Sequence, residues 1–215
     1  MIVDVAVDLP DDMHVAPVRR PRGRPGYSRD EVLKRAVDVF NRQGYDATSI
    51  ADLSRDLGVT KSAIFHHFDS KESILAAALD EALTEIGRVV ADARSADGAS
   101  AYQRLRAAVQ ASVQILVDHL PVVTLLLRVR GNSAMEQMAL RRRRDIDNQL
   151  AELVAAAVAE GDLREDISPE VISRLVFGMV NSLTDWYRPA GTLDGASLAA
   201  GVTAVLFDGL HKTKA

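Results

Sequence analysis

From Ser28 to Leu210 the apolar residues recur at steps of three and four, and no stretch keeps the two-residue alternation of a half-buried strand. That single property restricts the chain to an all-α fold. The segment Ser28–Gln43 sets Val32, Leu33, Ala36, Val39 and Phe40 on one stripe, with Ser28 and Glu31 spaced as a capping box and Gly44 as a stop. Two short helices follow, Ser49–Leu57 and Thr60–His66, separated by Gly58, with Thr60 as a natural N-cap. A long helix is expected over Lys71–Arg94, started by Asp69 as N-cap with Glu72 three residues on. Further helices are expected over Ala101–Leu120, stopped by Pro121, then after a short apolar piece (Val122–Val129) over Ser133–Glu160, Pro169–Tyr187 and Ala196–Leu210. The sum is about nine helices.

Charge divides the chain more sharply than hydropathy does. Residues 1–18 carry four acids and no base. Residues 19–71 carry 11 Lys/Arg against 7 Asp/Glu, and residues 72–215 carry 15 against 19. A basic segment in a chain of net charge −4 points to a polyanionic partner for that segment alone. The first 18 residues start apolar but hold Asp4, Asp8, Asp11 and Asp12 and lack a basic leader, so they read as a mobile tail and not a signal peptide. No run of 18 uncharged apolar residues exists, so no membrane partner is expected. The absence of cysteine excludes disulfides, thiol catalysis and Cys-ligated zinc, and fits a cytoplasmic location.

The most informative segment is Thr48–Leu75, "TSIADLSRDLGVTKSAIFHHFDSKESIL". Two short helices joined by a glycine turn, with Ile50, Leu53, Leu57, Val59, Ile64 and Phe68 facing inward, make a helix-turn-helix against the first helix. The second helix of such a unit enters the DNA major groove. Its outward residues are Lys61, Ser62, Ala63, Phe65, His66 and His67. Lysine serves a phosphate or a guanine edge, small residues allow close approach, and Phe65 suits a sugar or a thymine methyl. The His66–His67 pair makes a poor metal site, because adjacent helical residues point about 100° apart, and no metal is expected. The H-E-x-x-H, G-x-S-x-G, P-loop and G-x-G-x-x-G patterns are all absent, which leaves no catalytic residue and no cofactor to propose.

The run "FNRQGYDATSIADLSRDLGVTKSAIFHHFDSKESIL" resembles the TetR (tetracycline-repressor-like) family of bacterial transcription regulators, through Phe40, Gly44, Tyr45, Thr48, Ile50, Ala51, Gly58, Val59, "FHHF" and Ser70–Glu72. The resemblance implies an all-helical homodimer that binds a near-palindromic operator and is released by a small-molecule effector; repression is the family default. It implies DNA contacts at Thr48, Thr60, Lys61, Ser62, Phe65, His66, His67 and Lys71. It also implies three parts: a tail with a basic arm (1–27), a helix-turn-helix domain (28–75) and an effector-binding and dimerisation domain (76–215). His66 stands where many relatives have an aromatic, so no operator sequence carries over. An activator of the same fold, or a helical binding module without DNA function, are the alternatives.

Two basic features remain. Ahead of the first helix, "RRPRGRPGY" (Arg19–Tyr27) contains Arg22-Gly23-Arg24-Pro25, which resembles an AT-hook, with two arginines flanking a glycine slim enough for a narrow A·T-rich minor groove. The alternative is a solvated leader with only general phosphate attraction. In "RRRR" (Arg141–Arg144), stepping back by four from Ile146 places Arg142 inward, where an arginine needs an anion. Arg142 or a neighbour is therefore a candidate effector contact, Arg128 and Arg130 at the end of an apolar run are second candidates, and Phe177, Asn181 and Trp186 on the helix from Pro169 join them. "DWYRPAGTL" (Asp185–Leu193) resembles a segment of a TetR subset that senses acyl-CoA thioesters in lipid, steroid or aromatic-acid degradation. The resemblance implies an acyl-CoA effector; another hydrophobic or aromatic compound, or no effector, are the alternatives.

Overall fold

The computed structural model describes residues 27–210, and among them lie nine helices and no strand. They are α1 (Arg29–Gln43), α2 (Ile50–Leu57), α3 (Lys61–Phe65), α4 (Lys71–Ser95), α5 (Ala101–Asp118), α6 (Leu120–Arg128), α7 (Ala134–Ala159), α8 (Pro169–Trp186) and α9 (Gly195–Asp208). The all-α expectation therefore holds, with most boundaries within a residue or two.

Serines start most of these helices. Ser28 Oγ accepts from the Glu31 amide at 3.2 Å while the Glu31 carboxylate accepts from the Ser28 amide at 2.7 Å, the reciprocal box that the spacing predicts. Such a cap contributes about 1 kcal/mol. The start of α4 differs from expectation. Ser70, and not Asp69, is the N-cap, and its hydroxyl accepts from the Ser73 amide at 3.0 Å. Ser73 completes the box by accepting from the Ser70 amide, so Glu72 is not needed for it.

Pro121 also differs. It begins a helix instead of ending one. The chain leaves α5 at Asp118 and turns by 96° into α6, where Pro121 sits in the first turn and its missing N–H leaves no bond unmade. No single described helix is long and apolar enough to cross a membrane.

One continuous core runs through the described residues. Phe40, Leu53, Ile64 and Phe68 close the unit formed by α1–α3, all 4% exposed or less. The helix α4 continues from that unit into the body, packing on α1, α5, α6 and α7. It crosses residue 75 without a break, so the helix-turn-helix and the body share one structural member.

Candidate DNA-reading surface and effector cavity

The turn between α2 and α3 rests on Gly58, whose φ of +67° lies in the left-handed region that a Cβ disfavours. The Val59 amide donates to the Ser54 carbonyl at 3.0 Å and closes the end of α2. Thr60 then caps α3, its hydroxyl accepting from the Ala63 amide at 3.2 Å. Of α3 only Ile64 faces inward, at 0% exposure. Lys61, Ser62, Ala63, Phe65 and the following His66 are exposed, and Phe65 leaves 48% of its surface to solvent. A bare phenylalanine between a lysine and a histidine suits a nucleic-acid groove better than water.

Three expected contacts are turned elsewhere. Thr48 is 1% exposed and its hydroxyl donates to the Gly44 carbonyl at 2.7 Å. The Lys71 ammonium donates to the Tyr45 carbonyl at 3.0 Å and lies 4.3 Å from the centre of the Tyr45 ring. Its charge at a helix start is thus relieved by a carbonyl and an aromatic face within the chain. His67 is half-buried, and its Nε2 lies 3.0 Å from the Tyr27 carbonyl. A carbonyl only accepts, so Nε2 carries the proton. Arg22 and Arg24 lie outside the described residues.

The body holds a cavity of about 70 Å³ walled by α4, α5, α6, α7 and α8. Its lining is mainly apolar, with Ile86, Leu116, Leu126 and Phe177 among the walls. Ser112, Arg143, Asp147 and Asn181 are the polar groups. The Ser112 hydroxyl is already spent on the Ala108 carbonyl at 2.7 Å. Burial pushes the Asp147 carboxyl up, against the opposing pull of Arg143 and Arg174.

Phe177 and Asn181 line this cavity, whereas Arg128, Arg130, Arg142 and Trp186 do not. The Arg142 guanidinium donates to Asp80 at 2.7 Å and to Thr84 at 2.9 Å, both on α4, so its anion is a side chain of the protein on an outer groove. Arg128 donates to the Asn41 carbonyl at 2.7 Å. Trp186, in the last turn of α8, is 54% exposed and is not among the residues walling the cavity. Arg143 is a neighbour of the candidate Arg142, whereas Asp147 is not among the expected residues. Their signal was present: residues 143, 146, 147 and 150 follow the i, i+3, i+4, i+7 rule, which shares one face of α7 between two charges and two apolar residues.

The family model described as "Bacterial regulatory proteins, tetR family" matches residues 32–78, and "Tetracyclin repressor-like, C-terminal domain" matches residues 98–210. This chain belongs to the TetR family. It is therefore a DNA-binding transcriptional regulator of a family of regulators, and TetR-family proteins bind operator DNA as dimers. A TetR-family structure from Streptomyces coelicolor A3 is 43% identical, with a TM-score of 0.78, over 84% of this chain and 91% of that one. The HTH-type transcriptional repressor KstR2 of Rhodococcus jostii (strain RHA1) is 28% identical over 85% of this chain and 90% of its own length. The structure of AibR in complex with isovaleryl coenzyme A and operator DNA shares the fold at 24% identity and a TM-score of 0.67, over 83% of this chain and 97% of that one.

Proposed function

We propose that this TetR-family chain is a cytoplasmic repressor that grips a near-palindromic operator as a homodimer and lets go when an acyl-CoA thioester or a related hydrophobic acid fills the cavity. The proposed division is a helix-turn-helix domain over 28–75 and an effector-binding and dimerisation domain over 76–215. DNA contact falls to Lys61, Ser62, Phe65 and His66, with Thr60 holding α3 at its start.

The observation that carries the reading is the position of α6. Val123, Leu126 and Leu127 line the cavity. Both ends of the same helix hold α1: Arg128 donates to the Asn41 carbonyl, and the Asn41 side chain donates to the Pro121 carbonyl at 2.7 Å. Just beyond α6, Asn132 donates to Asp46 at 2.8 Å, ahead of α2. Drug-sized pockets run to about 300–1,000 Å³, so an acyl chain has to spread the walls of this contracted cavity. Spreading moves α4 and α6, and both are tied to the DNA-reading unit. A ligand acts only through unequal affinity for two states, and an effector that fits only the spread state meets that condition.

The ligand class follows from the lining. Apolar walls suit an acyl or ring system, while Arg143 and Asn181 supply donors for a carbonyl or acid group. AibR, which shares the fold, is seen with isovaleryl coenzyme A and operator DNA. The proposed dimer face joins α8 and α9, where Leu175 (62% exposed), Met179 and Val205 stand out beside Gly178 and Gly201, whose surroundings are open. Paired with a second copy they form a four-helix bundle. A gel-shift series on a genomic fragment library tests the DNA-binding claim: a specific, salt-dependent complex supports it, and no specific fragment at low salt overturns it.

A further inference from the structure

We propose that Asp147 selects an effector that carries a hydroxyl, so that the cavity takes a 3-hydroxyacyl thioester in preference to the saturated acyl thioester of the same length. This rests on the effector-cavity reading above and narrows its ligand class.

The uncommitted polar side chains of the cavity come from two packed helices. On α7, Arg143 and Asp147 stand four residues apart and share a face. On α8, Ser173, Phe177 and Asn181 follow at steps of four. Ser173 is 2% exposed, and its hydroxyl donates to the Asp147 backbone carbonyl at 3.1 Å, which pins this point of α7 to α8. The next two turns of the same α8 face bring Phe177 and Asn181 to the cavity. The backbone under the polar groups is thus held before any ligand arrives. The Ser112 hydroxyl is engaged by the Ala108 carbonyl. Arg142 is held by Asp80 and Thr84. Among the described residues, no hydrogen bond or ion pair engages the side chains of Arg143, Asp147 and Asn181.

These three groups make different demands. A guanidinium only donates, an ionised carboxylate only accepts, and an amide does both. The carbonyl of a saturated acyl thioester accepts from Arg143 or Asn181. Nothing on its hydrocarbon chain donates, so Asp147 is left facing methylenes, and burial already disfavours its charged form. A ligand hydroxyl reverses this by donating to the Asp147 carboxylate. A site that holds a ligand hydroxyl discriminates strongly against the analogue that lacks it, because its own polar group is then unpaired. The helix sets the position of that hydroxyl. Four residues separate Arg143 from Asp147 by about 6 Å along the axis of α7. A hydroxyl two carbons beyond a thioester carbonyl lies within that reach. The free 3-hydroxy acid offers the same hydroxyl but brings a carboxylate towards a carboxylate, and like charges in a buried site repel.

The experiment is a calorimetric titration of three full-length proteins: the natural chain, Asp147→Asn and Asp147→Leu. The ligands are matched pairs of 3-hydroxyacyl and saturated acyl coenzyme A thioesters of increasing chain length, and the free 3-hydroxy acids. In the natural chain the hydroxyacyl member of the best-bound pair is expected to bind on the order of 10- to 100-fold tighter, the cost of a buried acceptor left unmet. Asp147→Leu removes that preference. Asp147→Asn, whose amide oxygen still accepts, keeps it and binds the free hydroxy acid more tightly than the natural chain does. Equal affinity within every pair that the natural chain binds overturns the inference and leaves the effector reading intact. A hydroxyl preference unchanged in Asp147→Leu overturns the assignment to Asp147, as does an affinity for the free hydroxy acid unchanged in Asp147→Asn. Binding of no thioester by the natural chain overturns the effector reading itself.

Discussion

Arg128 and Asn41 hold each other from both ends of α6. The guanidinium of Arg128, the last residue of α6, donates to the Asn41 carbonyl at 2.7 Å, and the Asn41 amide donates to the carbonyl of Pro121 at the helix start. A short helix whose inner face walls a cavity is thereby fixed to the C-terminal turn of α1. Any displacement of α6 has to move α1 or break these bonds.

Breaking them separates binding from response. Arg128→Ala and Asn41→Ala are expected to hold operator DNA nearly as well as the natural chain without effector. Saturating effector then weakens their DNA binding less. Coupling energies run at about 1–3 kcal/mol, and residues along a coupled path modulate them by about 0.5–2 kcal/mol. Fluorescence anisotropy on labelled operator, with and without effector, reads the loss; an undiminished response excludes α6 as transmitter.

Lys61 is expected to act on phosphate or base at the start of α3. Lys61→Ala lowers operator affinity, and if the contact is to phosphate it also lowers the salt slope by about 0.9. A slope unchanged with specificity relaxed at one base pair assigns Lys61 to a base edge instead. Unchanged affinity removes Lys61 from the interface.

Asp147 makes stability depend on pH. Burial raises its folded-state pKa, so the folded protein holds this proton more tightly than the unfolded chain. Ionised Asp147 therefore costs stability at neutral pH, and the cost vanishes as pH falls through the folded value and below the ordinary value of 3.8. Asp147→Asn is expected to melt at a higher temperature than the natural chain near neutral pH, with the gap closing in acid. A lower melting temperature at neutral pH would mean that attraction to Arg143 outweighs burial.

Helical period and caps located the helices, because amphipathicity and serine capping are local. Gly58 and Thr60 disclosed the turn for the same reason. The side chains that escaped depend on partners far along the chain. Thr48 and Lys71 fit a DNA-contact pattern, yet Gly44 and Tyr45 take their polar groups. Arg142 or a neighbour is all that periodicity selects: a step of four from Ile146 gives Arg142, a step of three gives Arg143, and it is Asp80 and Thr84 on α4 that draw Arg142 to the outer groove. Pro121 looked like a stop because proline ends and begins helices alike, and the 96° bend is tertiary.

The α8–α9 face predicts assembly. Leu175 is 62% exposed on an apolar strip, so Leu175→Glu leaves the monomer core untouched and introduces charge on the proposed dimer face. The variant is expected to run as a folded monomer by light scattering. Its operator affinity falls by on the order of 100-fold, because the second half-site no longer benefits from tethering. A dimer of unchanged affinity moves the interface elsewhere.

In the proposed mechanism one cavity controls the grip on DNA. It is tested by titrating labelled operator against the protein with a series of acyl-CoA thioesters of increasing chain length, and by measuring thioester affinity with and without saturating operator. At least one thioester is expected to weaken operator binding, and operator to weaken binding of that thioester by the same factor. Arg143→Ala should weaken the thioester and spare the operator. A thioester that binds the cavity while leaving operator affinity unchanged would mean that the cavity does not control DNA binding.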